Sequence, residues 1–152
     1  MFDLINGLPV HPLVVHAVVV LLPLSVVGTF AIVLRPSWRQ VYGPLVLACA
    51  AAGTALTPVA TSSGEALEER VGDPGQHAEM GDQLLWFAVP LLLLVAALVL
   101  FERRPPSSSR VLTGTAVLAL VAAVACGVQV YRVGDSGAKA AWEDRIASSN
   151  QR

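Results

Sequence analysis

Charged residues are scarce in this sequence, and their scarcity excludes most soluble folds. Only 14% of the 152 residues are charged, whereas 55% are hydrophobic. This balance is too apolar for an ordinary water-soluble domain and indicates a membrane protein. The formal net charge of -1 leaves no basic surface for nucleic acid, so a nucleic-acid partner is not expected.

Cysteines and catalytic motifs are also few. The two cysteines, Cys49 and Cys126, lie inside apolar segments, which argues against a disulfide or a thiolate metal site. The sequence has no nucleophile elbow, phosphate-binding loop, zinc-protease motif or CxxCH haem attachment. Carboxylates and cations are also missing from the middle of the apolar segments, where pumps and transporters use them. These absences favour a non-catalytic protein.

Long apolar segments are abundant. A bilayer core of about 30 Å needs roughly 20 helical residues to cross it. Four segments reach this length, at about 12–34, 41–60, 84–101 and 111–133. We therefore predict an all-α fold, in which residues 1–152 form a single integral membrane domain with the architecture of an up-down-up-down four-helix bundle.

The arginines predict how the bundle is oriented. The two short links, "RPSWRQ" and "ERRPPSSSR", contain five arginines, whereas the long loop 61–83 contains one arginine and six carboxylates. The positive-inside rule places such short links in the cytoplasm. The N-terminus, the outer loop 61–83 and the outer tail 134–152 are then expected outside the cell membrane.

Helix-capping residues predict local structure outside the membrane. The "SSGE" at 62–65 matches a capping box that begins a short helix, which Gly72 would end, and Asp73 would cap the next helix. Asp135 and Ser136 are expected mainly to cap a surface helix in the tail, with ligand duty as the alternative. Within the spans, small residues recur at four-residue spacing, which predicts close helix packing. They are Cys49, Gly53 and Thr57; Ala51 and Ala55; and Ala119, Ala123 and Gly127.

The three histidines are the candidate ligands. His11, His16 and His77 all fall on or near the outer face in this topology, with Met80 close by. His11 and His16 are five residues apart on one helix, about 140° around its axis, so they cannot bind opposite faces of one haem. A second ligand must come from His77 or Met80.

Height along the helices favours His11 over His16. His11 lies within about 7 Å in height of His77 and about 3 Å of Met80, whereas His16 lies about 15 Å from His77. An interfacial haem or metal site that uses His11, His77 and Met80 is therefore easier to form than one through His16. The alternative roles are structural: His11 at a helix start, His16 hydrogen-bonded to a neighbouring helix, and His77 in solvent.

The opening "LPVHPLVVH", Pro23, the four spans and the outer "VYRVGDSGAKAAW" together resemble a bacterial family of predicted four-helix membrane proteins of unknown function. The resemblance covers nearly the whole chain. It singles out His11, Pro12 and His16, and less strongly Gly134, Asp135 and Gly137. Some relatives are fused to Rieske or cytochrome c domains, which implies a link to membrane electron transfer.

Two functions fit these observations. The sequence favours a non-catalytic structural or interaction subunit of a complex in the bacterial cell membrane, because small-residue stripes supply packing surfaces. The alternative is an electron-transfer membrane protein that binds haem b or copper at its outer face. The lipid bilayer is the expected partner of both, and other membrane or redox proteins are expected to join it.

Overall fold

The computed structural model describes residues 4–5, 8–72, 75–104 and 108–149. These residues form one short strand pair and four long helices. The strands β1 (Leu4–Ile5) and β2 (Leu8–Pro9) pair antiparallel. The helices are α1 (Val10–Leu34), α2 (Arg39–Val71), α3 (Gln76–Arg103) and α4 (Ser109–Ser149), and a 3₁₀ turn at Pro36–Trp38 connects α1 to α2.

All four helices are long and apolar enough to cross a membrane. The 25 residues of α1 span about 37 Å at about 1.5 Å per residue, which exceeds the thickness of a hydrocarbon core of about 30 Å. The prediction of an all-α fold with four membrane helices is confirmed.

The helices close around one core. α1 and α3 each pack against both α2 and α4. Touching residues run in opposite order along neighbouring helices: His11 lies beside Ala60 and Gly28 beside Val46. The core contains fully buried aliphatic side chains of α1 and α3, among them Leu22, Ile32, Leu91, Val95 and Leu98.

Small residues set the spacing between α1 and α2. A methyl group added at Gly53 would lie 2.8 Å from Cδ2 of Leu22, so a larger residue there would force the Leu22 side chain to move. Cys49 and Thr57, one turn to either side of Gly53, are also buried, which confirms this predicted stripe. The prediction was wrong for Ala51 and Ala55, which are exposed, because they lie on the opposite side of the same helix.

α2 continues without a break through the predicted capping box. Ser62 was predicted to begin a helix, but its Oγ donates instead to the backbone oxygen of Val59, one turn earlier in the same helix. Serine side chains satisfy themselves in this way inside helices, so the motif did not act as a cap. Gly72 ends α2 as predicted, with a φ of 96° that favours glycine. The predicted cap Asp73 lies outside the described residues.

α4 also continues through its predicted break. Asp135 and Ser136 were expected to cap a separate tail helix, but both lie inside the 41-residue α4. Asp135 instead pairs with Lys139, with 2.8 Å between Oδ2 and Nζ. Gly134 and Gly137 have helical backbone conformations inside α4. The described glycines with positive φ are Gly72 and Gly75.

The two ends of the bundle carry different polar groups. We call the end with His11, Gly64, His77 and Gly137 the histidine end. The opposite end, the arginine end, contains the buried side chain of Arg39.

Candidate functional site

His11 is held by a backbone oxygen of the neighbouring helix. It lies in the first turn of α1, and its Nδ1 is 2.8 Å from the carbonyl oxygen of Ala60 on α2. A carbonyl oxygen accepts hydrogen bonds only, so Nδ1 carries the proton and Nε2 retains its lone pair in the neutral ring. The ring lies over Gly64, where an added methyl group would be 3.1 Å from Cε1 of the imidazole.

His77 is held in the same manner by α4. Its Nδ1 lies 3.1 Å from the carbonyl oxygen of Val133 and 3.4 Å from Oγ of Ser136. Ser136 donates its own proton to the oxygen of Val133 at 3.0 Å, so its hydroxyl oxygen is able to accept from Nδ1. A methyl group at Gly137 would lie 2.9 Å from Cε1 of this ring. Again Nε2 is the nitrogen with an available lone pair.

The two imidazoles face each other across the interior of the bundle. Their ring centres are 6.3 Å apart and their planes are inclined by 80°. An imidazole nitrogen lies about 1 Å from its ring centre and about 2 Å from a metal that it binds, so two imidazoles on one metal have centres about 6 Å apart. The 6.3 Å between the ring centres of His11 and His77 is therefore close to the separation that two imidazoles on one metal would have.

The pair opens into a cavity of about 340 Å³. Most of its wall is apolar, with aliphatic side chains from all four helices: Val15, Val18, Val19, Leu67, Leu84, Val130 and Val133. Three carboxylates, Glu65, Glu68 and Asp82, also line it. Glu65 and Asp82 are exposed and Glu68 is half-buried, so the acidic groups form the solvent-facing rim. A large apolar ligand with a cationic centre fits such a lining.

The other predicted ligands lie elsewhere. His16 is exposed, and its Nδ1 contacts the backbone oxygen of Pro12 in its own helix. Met80 and Asp135 line a second cavity of about 340 Å³, which also contacts His77. The structure thus brings together His11 and His77, and it leaves His16, Met80 and Asp135 outside the facing pair.

No group of three or more histidine, cysteine, aspartate or glutamate side chains is placed to hold a metal ion within the part of the chain that the structure describes. A free Zn²⁺ or Cu²⁺ ion prefers three or four such ligands. Haem needs two, because the porphyrin supplies the other four. The donor set therefore fits a haem better than a bare divalent ion.

The sequence predictions gave other roles to the residues beside the two rings: "SSGE" and Ser136 were expected to cap helices, and the family resemblance singled out Gly137 without assigning it a task. Ser63 donates to the carbonyl oxygen that holds His11, and Gly64 lies against the His11 ring. Ser136 and Gly137 have the same two contacts at His77. The signal that could have revealed them is a repeated Ser-Gly pair, in "SSG" and in "DSG", each on the helix that follows a histidine-bearing helix.

A family comparison agrees with the architecture. The family model of predicted membrane proteins called DUF2231 matches residues 7–150, nearly the whole chain. The chain belongs to DUF2231. No curated protein and no solved structure matches it. The DUF2231 assignment supports a membrane protein and assigns no chemistry to its residues.

Proposed function

We propose that this DUF2231 protein is an electron-transfer membrane protein that binds haem b between His11 and His77. The observation that carries the proposal is the facing pair, with ring centres 6.3 Å apart and each Nδ1 bonded to a backbone carbonyl oxygen. Metal-binding histidines commonly donate their second ring N–H to such an oxygen, which fixes the tautomer and makes Nε2 a stronger ligand.

The surroundings of the pair support a haem. Aliphatic side chains line most of the cavity, as an apolar macrocycle requires, and the two rings come from different helices on opposite sides. When bound, haem b supplies a one-electron couple between ferric and ferrous iron. The carboxylates of Glu65, Glu68 and Asp82, which line the same cavity, would favour the more positive ferric state and so would lower the reduction potential.

The position of the pair is suited to exchange with a partner. His11 lies in the first turn of α1, and the rim carboxylates face solvent. We propose that the histidine end faces outward from the bacterial cell membrane and meets another redox protein there. The arginines of the short links support this orientation, because Arg35, Arg103 and Arg110 lie toward the other end.

The deciding experiment is a reduced-minus-oxidised visible spectrum of the full chain, purified in mild detergent from its native membrane. A Soret band and an alpha band of haem b, at about one haem per chain by pyridine haemochrome, are expected. His11→Ala and His77→Ala should each lose at least tenfold in haem content. His16→Ala is the matched control, because His16 lies outside the facing pair, and it should keep the spectrum.

Metal analysis of the same sample separates the alternatives. A colourless protein with about one copper per chain, lost in His77→Ala, would replace haem by copper at the same pair. A colourless and metal-free protein would overturn the proposal. The histidine end would then support the other function predicted from the sequence, an interaction subunit of a membrane complex.

A further inference from the structure

His11 and His77 each pack against a notch on the following helix, which consists of a backbone carbonyl, a serine and a glycine. The two notches occupy equivalent positions in the two halves of the chain. In α1, the buried residues after His11 lie 7, 11, 14, 18 and 21 positions along: Val18, Leu22, Ser25, Thr29 and Ile32. In α3, the buried residues after His77 lie at the same five intervals: Leu84, Ala88, Leu91, Val95 and Leu98. The helix pairs α1–α2 and α3–α4 thus present their histidines in the same register.

The notches themselves match atom for atom. In α2, Ala60 supplies the carbonyl oxygen, and Ser63, three residues later, donates its hydroxyl to that oxygen at 3.0 Å. Gly64, four residues after the carbonyl, leaves room for the ring. In α4 the same three roles fall to Val133, Ser136 and Gly137, at the same spacing.

From this repetition we propose that Ser63 with Gly64, and Ser136 with Gly137, are two positioning pairs for the ligand histidines. Each glycine admits the imidazole against the helix backbone, and each serine shares the carbonyl that receives Nδ1–H. Together they direct both Nε2 atoms at one shared ligand. This inference rests on the proposed function, and it adds four positioning residues: Gly64, Ser136 and Gly137 contact a histidine ring, and Ser63 acts through the carbonyl oxygen of Ala60.

The serines adjust the basicity of the ligands. A carbonyl oxygen that already accepts from serine is a weaker acceptor for Nδ1–H, so the imidazole keeps less imidazolate character. Removing the hydroxyl strengthens the remaining bond to the ring and makes Nε2 a stronger donor to iron. Ser63→Ala should therefore lower the reduction potential, and Ser63→Thr, which keeps a hydroxyl, should restore it.

Glycine substitutions separate positioning from folding. Alanine is a better helix former than glycine, so Gly64→Ala and Gly137→Ala should keep or raise the thermal midpoint of the detergent-solubilised protein. Their added methyl groups, at 3.1 and 2.9 Å from imidazole Cε1, should nevertheless displace the rings. Gly134→Ala is the control, because a methyl group there meets nothing within 4 Å.

The readouts are haem per chain, the iron spin state and the tautomer of each ring by nitrogen NMR of histidine-labelled protein. We expect at least a tenfold loss of haem, or conversion of six-coordinate low-spin to five-coordinate high-spin iron, in Gly64→Ala and Gly137→Ala but not in Gly134→Ala. In the unsubstituted chain, NMR should find the proton on Nδ1 of His11 and His77. Gly64→Ala should change this signal for His11 alone.

The outcomes distinguish the two proposals. If the unsubstituted chain binds haem and both glycine variants keep its spectrum, positioning is overturned and haem binding stands. If the unsubstituted chain is colourless but the NMR signals respond as expected, the haem proposal fails and the positioning of the rings stands. Should a glycine variant fail to fold, the potentials of Ser63→Ala and Ser63→Thr decide, and equal potentials in all three chains would overturn the inference.

Discussion

The histidine end and the arginine end differ in how their polar side chains are hydrogen-bonded inside an apolar bundle. At the histidine end, two imidazoles use one nitrogen each for a backbone oxygen and keep the other available beside a cavity. At the arginine end, Arg39 is 5% exposed, pairs with Glu102 at 3.6 Å and donates to the oxygen of Ile32 at 3.4 Å. The difference teaches that a polar side chain inside this bundle either joins several helices, as Arg39 does, or keeps one nitrogen free of protein partners beside a cavity, as the two imidazoles do.

This contrast has a physical origin in how the charges are satisfied. Arg39 joins α1, α2 and α3 through one guanidinium. Its Nε is buried and has no hydrogen-bond partner among the described residues. A permanently charged side chain must be neutralised where it is buried. A neutral imidazole carries no such cost, so its Nε2 remains available for a ligand.

Removing Arg39 should cause the largest change in stability. Arg39→Met leaves Glu102 without its cation, and we expect a loss of about 3 kcal/mol in the free energy of unfolding, near the lower limit for buried pairs because Glu102 is 25% exposed. Unfolding in mixed micelles of mild detergent and dodecyl sulfate measures it. Arg35→Met is the control, because Arg35 is exposed and stacks on Trp38 at 5.0 Å. Equal losses in both variants would contradict the special role of the arginine end.

Filling the contact between α1 and α2 should have the next largest effect. Gly53→Ala places a methyl group 2.8 Å from Cδ2 of Leu22, and we expect a loss of about 2 kcal/mol in unfolding free energy from overpacking. Gly114→Ala, where a methyl group meets nothing within 4 Å, should instead gain about 0.5 kcal/mol or more from helix propensity. Haem content should change little in either variant, since this contact lies between the two ends. A stabilised Gly53→Ala would argue against the close approach of α1 to α2.

A smaller effect is expected from the hydrogen bond between α4 and α3 near the histidine end. Gln129 is buried and donates from Nε2 to the backbone oxygen of Met80 at 2.9 Å. Gln129→Leu keeps the volume and removes the donor, so we expect a loss of about 0.6 kcal/mol, typical of such bonds in membranes. The same micelle titration measures this loss. Gln129→Glu tests whether a negative charge is tolerated beside the backbone oxygen of Met80. A loss as large as that of Arg39→Met would erase the distinction between the ends.

The smallest effect should come from His16. His16→Phe removes an exposed imidazole whose contact is with Pro12 of its own helix, so haem content and unfolding free energy should both stay near those of the unsubstituted chain. Visible spectroscopy and the micelle titration check this. A loss of haem comparable to that of His77→Ala would show that His16 is a ligand and would break the assignment of the facing pair.

The sequence identified the candidate ligands at the histidine end, but it did not show which of their side chains meet. The sequence favoured His11 over His16 as the ligand of the first helix, because rise per residue places His11 nearer in height to His77 and Met80. It also offered Met80 and Asp135, since height alone does not say which way a side chain points around its helix. The structure places both in a second cavity.

The predictions that Ser62 and Asp135 cap helices failed for a related reason. Ser62 and Asp135 match local cap patterns, but a local pattern competes with continuation of the helix, and packing against neighbouring helices favours continuation. Ser63 and Ser136 therefore lie inside helices, where their hydroxyls reach the carbonyls that also hold the histidines.

The sequence by itself determined the membrane character, the number of helices and the end of α2 at Gly72, because apolar length and a residue free to adopt positive φ act locally. Tertiary structure decided which histidines meet, how closely α1 approaches α2 at Gly53, and where the rings find room at Gly64 and Gly137. The physical reason is that a helical pattern specifies positions around one axis, whereas distances between axes depend on every side chain packed between them.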